Sequence, residues 1–317
     1  MAVEGPMRKP LLRSHSGFTL VEILVTIPLA LLIMAGIYRT FKTQQDSYLI
    51  QDQVTVMQQN LRGAMYLITR DLLMAGYLSV LDTHPHTVNW DGKGGTASKR
   101  PIIIGRDNVH IQGDDIKDDT DTIVIARASD EGRSLKAGES AAGEEVSLTS
   151  MDVDLNTEGK KYGILVKQDY SKADFFEVKG IAGSKIMVTS GLSETYDPGD
   201  LIYRADLIAY RIDEKNPTHL LRGNIGEYNG YQVVAENIEN MQVRYQLSNG
   251  TWTDDPGGME PLIRAVQVFL MGRTEKSQKG YRDTETYTVA NSPPSNPNDA
   301  HRRKILSTIV KTRNIGL

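Results

Sequence analysis

The chain has 317 residues and no cysteine; 24% of the residues are charged, 39% are hydrophobic, and the formal net charge is −4. This composition is ordinary for a folded protein, and the length allows a membrane helix together with one large or two small globular parts. The negative charge argues against a general nucleic-acid-binding protein, so we expect no direct binding of nucleic acid, and the lack of cysteine excludes a disulfide-closed loop.

The N-terminal region combines a short basic leader with an apolar run over residues 18–37. A bilayer-spanning helix needs about 20 residues, so this run is long enough to cross a membrane. A secretory signal has a shorter apolar core and a small-residue cleavage site after it. Here the small residue, Gly17, comes before the core. We therefore predict a leader at residues 1–17 and a transmembrane segment at residues 18–37 that stays on the mature protein.

Glu22 is the one charged residue inside this apolar run. A carboxylate inside a membrane helix costs roughly 2.5–3.5 kcal/mol on insertion scales, so an interaction should offset it. Three interactions fit the sequence. Glu22 can reach the lipid headgroups, it can pair with a new α-amino group of Phe18, and its charge suits a helix N-terminus.

Pro28 also interrupts the membrane segment. Proline has no N–H and clashes with the carbonyl of the residue four positions earlier, here Leu24, so we expect a kink in the helix. In lipid the freed carbonyl needs another partner, for which Thr26 is a local candidate.

The helical pattern continues beyond the membrane segment. Apolar residues recur at spacings of three and four, which is one face of an amphipathic helix: Met57, Leu61, Ala64, Met65, Ile68, Leu72 and Ala75. We predict one helix from Phe18 to Ala75, about 87 Å long at roughly 1.5 Å per residue, with Gly76 as its C-cap. The long-helix region is thus residues 18–76, and its apolar stripe should pack on a globular domain.

Residues 77–317 have the pattern of a β-rich globular domain. Alternating or β-branched segments predict strands at 162–168, 185–190, 200–212, 241–247, 263–271 and 305–312. The fold class is therefore α+β, with an antiparallel sheet lying against the amphipathic half of the helix. The segments at about 82–120 and 129–200 are interpreted as insertions or a second small sheet.

Metal-binding candidates are weak. An acidic cluster offers oxygen ligands for calcium, but its spacing does not fit an EF-hand loop, and a solvated loop is the favoured interpretation; it comprises Asp114, Asp115, Asp118, Asp119 and Asp121. His84 and His86 fit no zinc-binding motif, and we expect a surface loop there. The sequence also has no nucleophile elbow, phosphate-binding loop or cysteine nucleophile, so we expect neither a cofactor nor an enzyme.

The leader junction resembles the processing motif of type IV prepilins, Gly17-Phe18-Thr19-Leu20-Val21-Glu22-Ile23-Leu24. Further segments are similar to PilW-type minor pilins: residues 58–62, 70–72 and 74–77 at the helix end, 121–125 in an early strand, 235–245, and the closing segment 302–314. The chain differs from many such proteins because Leu78-Ser79-Val80 stand where they carry a cysteine.

This resemblance implies a site and partners. Prepilin peptidase would cut between Gly17 and Phe18 and N-methylate Phe18, and Glu22 would meet the N-terminal amine of a neighbouring subunit during assembly. The implied partners are the peptidase, other minor pilins, the major pilin, the inner-membrane assembly platform and a tip adhesin. The subunit would sit in the inner membrane as a single-pass protein, N-terminus in the cytoplasm and globular part in the periplasm. It would then enter the pilus, where it would prime assembly from the tip and serve motility or cell adhesion.

Three alternatives remain open at this point. A type II secretion pseudopilin of the J type shares the leader and the architecture. A tip adhesin or ligand-binding module would use the unassigned insertions. A membrane-anchored enzyme would need a convergent set of catalytic residues, which the sequence does not show.

Overall fold

The computed structural model describes residues 17–79, 86–89, 96–99, 103–109, 116–149, 155, 161–189, 191–225 and 230–315. The predicted leader up to residue 16, His84, Asp114 and Asp115 lie outside these residues, as does the side chain of His86. The chain divides into two compact units, Met1–Asp52 and Gln53–Leu317.

The helix α1 runs from Leu20 to Leu73 over 54 residues, slightly shorter at both ends than the predicted helix. The helix continues through Pro28 without a break. After Leu73 the chain forms turns, and Gly76 has the positive φ of 77° expected of a C-cap. The Gly76 N–H, however, donates to the Ala126 carbonyl at 2.9 Å, so it binds a strand rather than the helix end.

The described residues of the first unit consist of the exposed, largely apolar start of α1 and the three residues before it. Every residue from 17 to 49 is exposed, including the large apolar side chains of the predicted membrane segment. By length and composition α1 could cross a membrane, and no residue of its most apolar stretch is buried within the part of the chain that the structure describes.

The second unit contains the strands, all paired in antiparallel fashion. They are β1 (His86–Asn89), β2 (Thr96–Lys99), β3 (Ile103–Val109), β4 (Thr120–Ser134), β5 (Ser140–Ala142), β6 (Glu145–Ser147), β7 (Tyr162–Val166), β8 (Ala173–Ala182), β9 (Lys185–Val188), β10 (Leu201–Ile212), β11 (His219–Asn224), β12 (Tyr231–Glu236), β13 (Ile238–Leu247), β14 (Trp252–Thr253), β15 (Ile263–Arg273) and β16 (Arg303–Lys311). A 3-10 turn, Glu260–Leu262, precedes β15. Every strand predicted from the sequence is present.

The strands form a two-stranded sheet, β1–β2, a ten-stranded sheet and a four-stranded sheet. The large sheet has the path β12–β11–β10–β7–β8–β9–β6–β5, with β4 on the other edge of β10 and β3 beyond β4. The small sheet has the order β14–β13–β15–β16. The segment 129–200 therefore extends the large sheet through β5–β9, instead of forming the separate small sheet that we considered.

The C-terminal half of α1 packs into the main core. All seven residues of the predicted stripe are buried there, from Met57 to Ala75. They join side chains from β13 and β15 of the small sheet, and from β4 and β10 of the large one. The expectation of a single sheet against the helix is thus too simple, because residues of two sheets share the core with α1.

The helix approaches the small sheet closely at Gly272. A Cβ atom at this position would lie 3.0 Å from Cγ of Leu61, which is closer than ordinary van der Waals contact. Glycine on β15 therefore provides the space that Leu61 occupies.

Replacing Gly272 by valine should lower the free energy of unfolding by about 1–3 kcal/mol, because added atoms overpack this contact. Denaturant unfolding of the chain in detergent measures the change. The matched control is Gly180→Val on β8, where a Cβ atom meets nothing within 4 Å. Equal stability of the two variants would contradict a close packing of α1 on β15.

Candidate functional site

The N-terminus of α1 is closed by a reciprocal pair of hydrogen bonds. The Glu22 N–H donates to Thr19 Oγ1 at 3.2 Å, and the Thr19 N–H donates to Glu22 Oε2 at 3.1 Å. The Thr19 hydroxyl also donates to Oε2 at 3.0 Å. This is a capping box, in which two backbone N–H groups that the helix leaves unpaired each receive an acceptor.

Glu22 therefore has a local role that our three interpretations of the sequence did not include. The spacing Thr19-x-x-Glu22 before an apolar run is itself a capping-box signal, so the sequence contained the information. The expectation that its charge suits a helix N-terminus agrees with this position in the first turn of α1.

The capping box uses one oxygen of the carboxylate. Within the described residues, the other oxygen, Oε1, accepts no hydrogen bond. Gly17 and Phe18 precede the helix in non-helical backbone, and the Phe18 side chain is 83% exposed. The segment thus places the exposed Gly17–Phe18 peptide bond within about one helical turn of the Glu22 carboxylate. The second oxygen of that carboxylate can accept a further hydrogen bond.

Thr26 does not take the role we considered for it. Its hydroxyl donates to the carbonyls of Glu22 at 2.7 Å and Ile23 at 3.2 Å, not to that of Leu24. The carbonyl freed by Pro28 therefore gains nothing from Thr26, and a partner for it from outside the chain stays an expectation.

The other end of α1 is tied to the large sheet through Asp71, which is fully buried. Its Oδ2 accepts from the Tyr210 hydroxyl at 2.6 Å and from Arg222 Nε at 2.8 Å. Burial, and then the Asp71 carboxylate, raise the pKa of the Tyr210 hydroxyl. Because a buried carboxylate is stable only when paired, this contact sets the position of the helix on β10 and β11.

The closing segment carries a second buried charge, Arg303, on β16. Its guanidinium makes paired hydrogen bonds of 2.6–3.0 Å to Glu239 and of 2.6–2.7 Å to Asp299, and a 3.1 Å bond to Asp283. Hydrogen bonds from Arg303 lower the pKa of Asp299. Arg303 thereby joins the start of β16 to Glu239 on β13, and to Asp283 and Asp299 in the segment between β15 and β16.

The described part of the acidic cluster is used for structure. The buried Asp121 carboxylate accepts from the Val243 N–H at 2.7 Å, which ties β4 to β13. Asp119 accepts at its backbone carbonyl from the Gln242 side chain at 3.0 Å, and Asp118 is exposed. Among the described residues, no group of three or more His, Asp or Glu side chains is placed to hold a metal ion.

A polar cleft lies beside the end of β7 and is lined by charged side chains that pair with one another. Lys167 bonds Asp200 at 3.0 Å, and Lys172 bonds Glu194. These ion pairs join two lysines to two carboxylates, and the Ser171 hydroxyl in the same cleft donates to Asp169 at 2.6 Å.

Substituting Asp71 by alanine should lower the free energy of unfolding by about 2–4 kcal/mol, because it breaks a buried ion pair. This value is slightly below the cost for fully buried pairs, because the Arg222 side chain is 25% exposed. Tyr210→Phe should cost about 1 kcal/mol, the value of one hydrogen bond. The control is Arg70→Ala, since Arg70 is 56% exposed and lies 3.8 Å from Asp71, and it should change little. Denaturant unfolding that ranks Arg70→Ala with Asp71→Ala would contradict the assignment.

Comparison with known proteins gives a family-model match to part of the chain. The family model described as type IV pilus-assembly protein W matches residues 209–314, about a third of the chain. The matched part contains Tyr210, Arg222 and Arg303, the residues that hold the two buried charge clusters. A comparison with curated protein sequences gave no match.

Among solved structures, a type IV-like pilin from Thermus thermophilus aligns with 12% identity and a TM-score of 0.38, covering 82% of this chain and 98% of its own. That score is too low to carry an argument about this fold. The family-model match covers most of the strands β10–β16 and confirms, over residues 209–314, the resemblance to PilW-type proteins that the sequence indicates.

Proposed function

We propose that the chain is a minor pilin, a structural subunit that helps to prime type IV pilus assembly and sits at the pilus tip. The observation that carries this proposal is the uncovered apolar half of α1, which starts directly after the Gly17–Phe18 junction. Such a surface needs lipid or other apolar helices around it, and a pilin meets both, first in the membrane and then in the filament.

Cleavage between Gly17 and Phe18 by prepilin peptidase is consistent with the geometry of the junction. A protease needs an accessible, non-helical peptide bond, and both residues are exposed and precede the first turn of α1. Cleavage there would create a new amine on Phe18, the proposed site of N-methylation. It would leave the capping box intact, because Thr19 and Glu22 both lie on the mature side.

Glu22 then serves two purposes in the proposal. One carboxylate oxygen caps its own helix, and the other is open to the positively charged N-terminus of a neighbouring subunit. In a low-dielectric surrounding, pairing with that amine would offset much of the cost of a buried carboxylate. The charge therefore favours insertion next to a partner that supplies an amine.

The remaining parts of the proposal follow from the pilin assignment. The partners would be the peptidase, the assembly platform, the major pilin and other minor pilins, with a tip adhesin as a further candidate. The subunit would pass from the inner membrane, with its globular part in the periplasm, into the pilus. The PilW match favours the pilus over the pseudopilin of a type II secretion system.

Two substitutions separate the assembly role of Glu22 from its capping role. Glu22→Gln keeps an acceptor for the capping box, since glutamine is accepted at that position, but removes the charge. Thr19→Ala keeps the charge and removes the capping hydroxyl. We expect Glu22→Gln to be cleaved normally but to be incorporated into pili about tenfold less than wild type, and Thr19→Ala to lose much less incorporation.

The measurement is the amount of mature chain in sheared pili relative to the membrane fraction, with Glu22→Ala as the variant that loses both roles. Normal incorporation of Glu22→Gln together with failure of Thr19→Ala would show that capping alone explains Glu22. Loss of cleavage in Glu22→Gln would place the residue in peptidase recognition instead.

A further inference from the structure

The longest sheet edge in the described chain belongs to β16. It pairs with β15 on one side over nine consecutive residues without a register shift. The other terminal strands are shorter: β14, β5, β12 and β3 have two, three, six and seven residues, and β1 and β2 have four each. The pairings of β12 and β3 also contain irregularities. Within the described residues, no strand pairs with the outer side of β16.

The hydrogen-bond pattern shows which groups face the open side. The Thr312 N–H donates to the Arg264 carbonyl, and the Thr274 N–H donates to the Arg302 carbonyl. Both residue pairs continue the register of β15 and β16, and in both the residue on the β16 side has an even number. In an antiparallel ladder, bonded and non-bonded pairs alternate along the strand. The even-numbered residues of β16 therefore bond to β15, and the odd-numbered residues direct their N–H and C=O groups outward.

The middle of this edge, residues 305–310, lacks the usual features that prevent strand addition. Proteins protect long edges with prolines, bulges or charges in the strand. Residues 305–310 contain no proline and no charge, and four of the six are isoleucine, valine or threonine. Ile309 is 54% exposed at this edge, while Val310 on the other face is buried in the core.

Positive charges flank this uncharged segment. Lys304 is exposed at one end, and Lys311 and Arg313 are exposed at the other. No ion pair to these three side chains is seen among the described residues. A strand added along the edge would therefore meet cations at both of its ends.

The same charges disfavour a second copy of this chain. An antiparallel self-pairing that uses the whole strand is centred on Ser307, which sets Lys311 of one copy opposite Arg303 of the other at both ends. Arg303 is itself paired with Glu239, Asp283 and Asp299, so this contact is not a repulsion between two free charges. However, β16 contains no acidic residue, so the strand of a second copy offers no carboxylate to Lys304, Lys311 or Arg313. The edge suits a partner whose extended segment is apolar or uncharged in the middle and acidic at both ends.

We propose that β16 is a docking edge which adds an extended segment of a different protein as a further strand, with acidic residues of that segment pairing with Lys304 and with Lys311 and Arg313. Backbone hydrogen bonds would supply affinity, and the terminal charges would supply selectivity. The proposal goes beyond the role of α1 and does not depend on cleavage after Gly17 or on the filament.

The test uses the full chain in detergent micelles and a synthetic peptide of alternating threonine and valine with two aspartates at each end. A twin peptide with lysines in place of the aspartates is the control ligand. We expect the acidic peptide to bind, measured by fluorescence anisotropy, and the basic twin to bind at least about tenfold more weakly. On binding, hydrogen exchange should slow at the amides of Ile305, Ser307 and Ile309.

Two variants test the edge itself. Ser307→Pro removes an outward N–H but no bond to β15, so it should weaken binding about tenfold, while Ser307→Ala should bind like wild type. The double variant Lys304→Glu with Lys311→Glu should reverse the preference toward the basic peptide, a result that misfolding cannot produce.

Several results would overturn the proposal. These are no binding of the acidic peptide to the wild-type chain, equal binding of the two peptides, or protection of β12 instead of β16. Self-association of the chain that Ser307→Pro abolishes would also overturn it, because the occupant of the edge would then be a second copy.

Discussion

The structure depends on one helix that meets two different surroundings. Over residues 17–49 every side chain of the N-terminal unit is exposed, although most are apolar. From Met57 onward only one face is apolar, and that face is buried in a protein core. Water cannot surround the first part at low free energy, whereas the second part needs no other chain. The first part is therefore compatible with a surrounding of lipid or of other apolar helices.

Buried polar contacts give the second part its fixed position. Apolar packing alone tolerates small shifts of a helix along a sheet, but a buried carboxylate does not tolerate the loss of its partners. Asp71 binds Tyr210 and Arg222, and Arg303 binds three carboxylates around the start of β16. The family-model match covers Tyr210, Arg222 and Arg303, so the matched region includes the residues that hold the helix and the closing strand in place.

Periodicity in the sequence predicted the elements well, because the helix stripe and the longer strands each bury one face. It did not predict contacts between distant positions: Asp71 lies 139 residues from Tyr210 and 151 from Arg222. Strand periodicity also does not reveal that the polar Gln242 on β13 is buried, where its side chain donates to the Asp119 carbonyl. The capping box of Thr19 and Glu22, in contrast, depends only on local spacing and is encoded in the sequence Thr19-x-x-Glu22.

We propose that the apolar half of α1 stays on the mature protein, whose first residue would be Phe18. Intact-mass analysis of the N-terminus, on membrane and sheared-pilus fractions from cells with and without prepilin peptidase, tests it most directly. The account predicts a chain that starts at methylated Phe18 in both fractions, and an uncut chain when the peptidase is absent. A chain that stays uncut in the presence of the peptidase, or one cut after the apolar run, would contradict it.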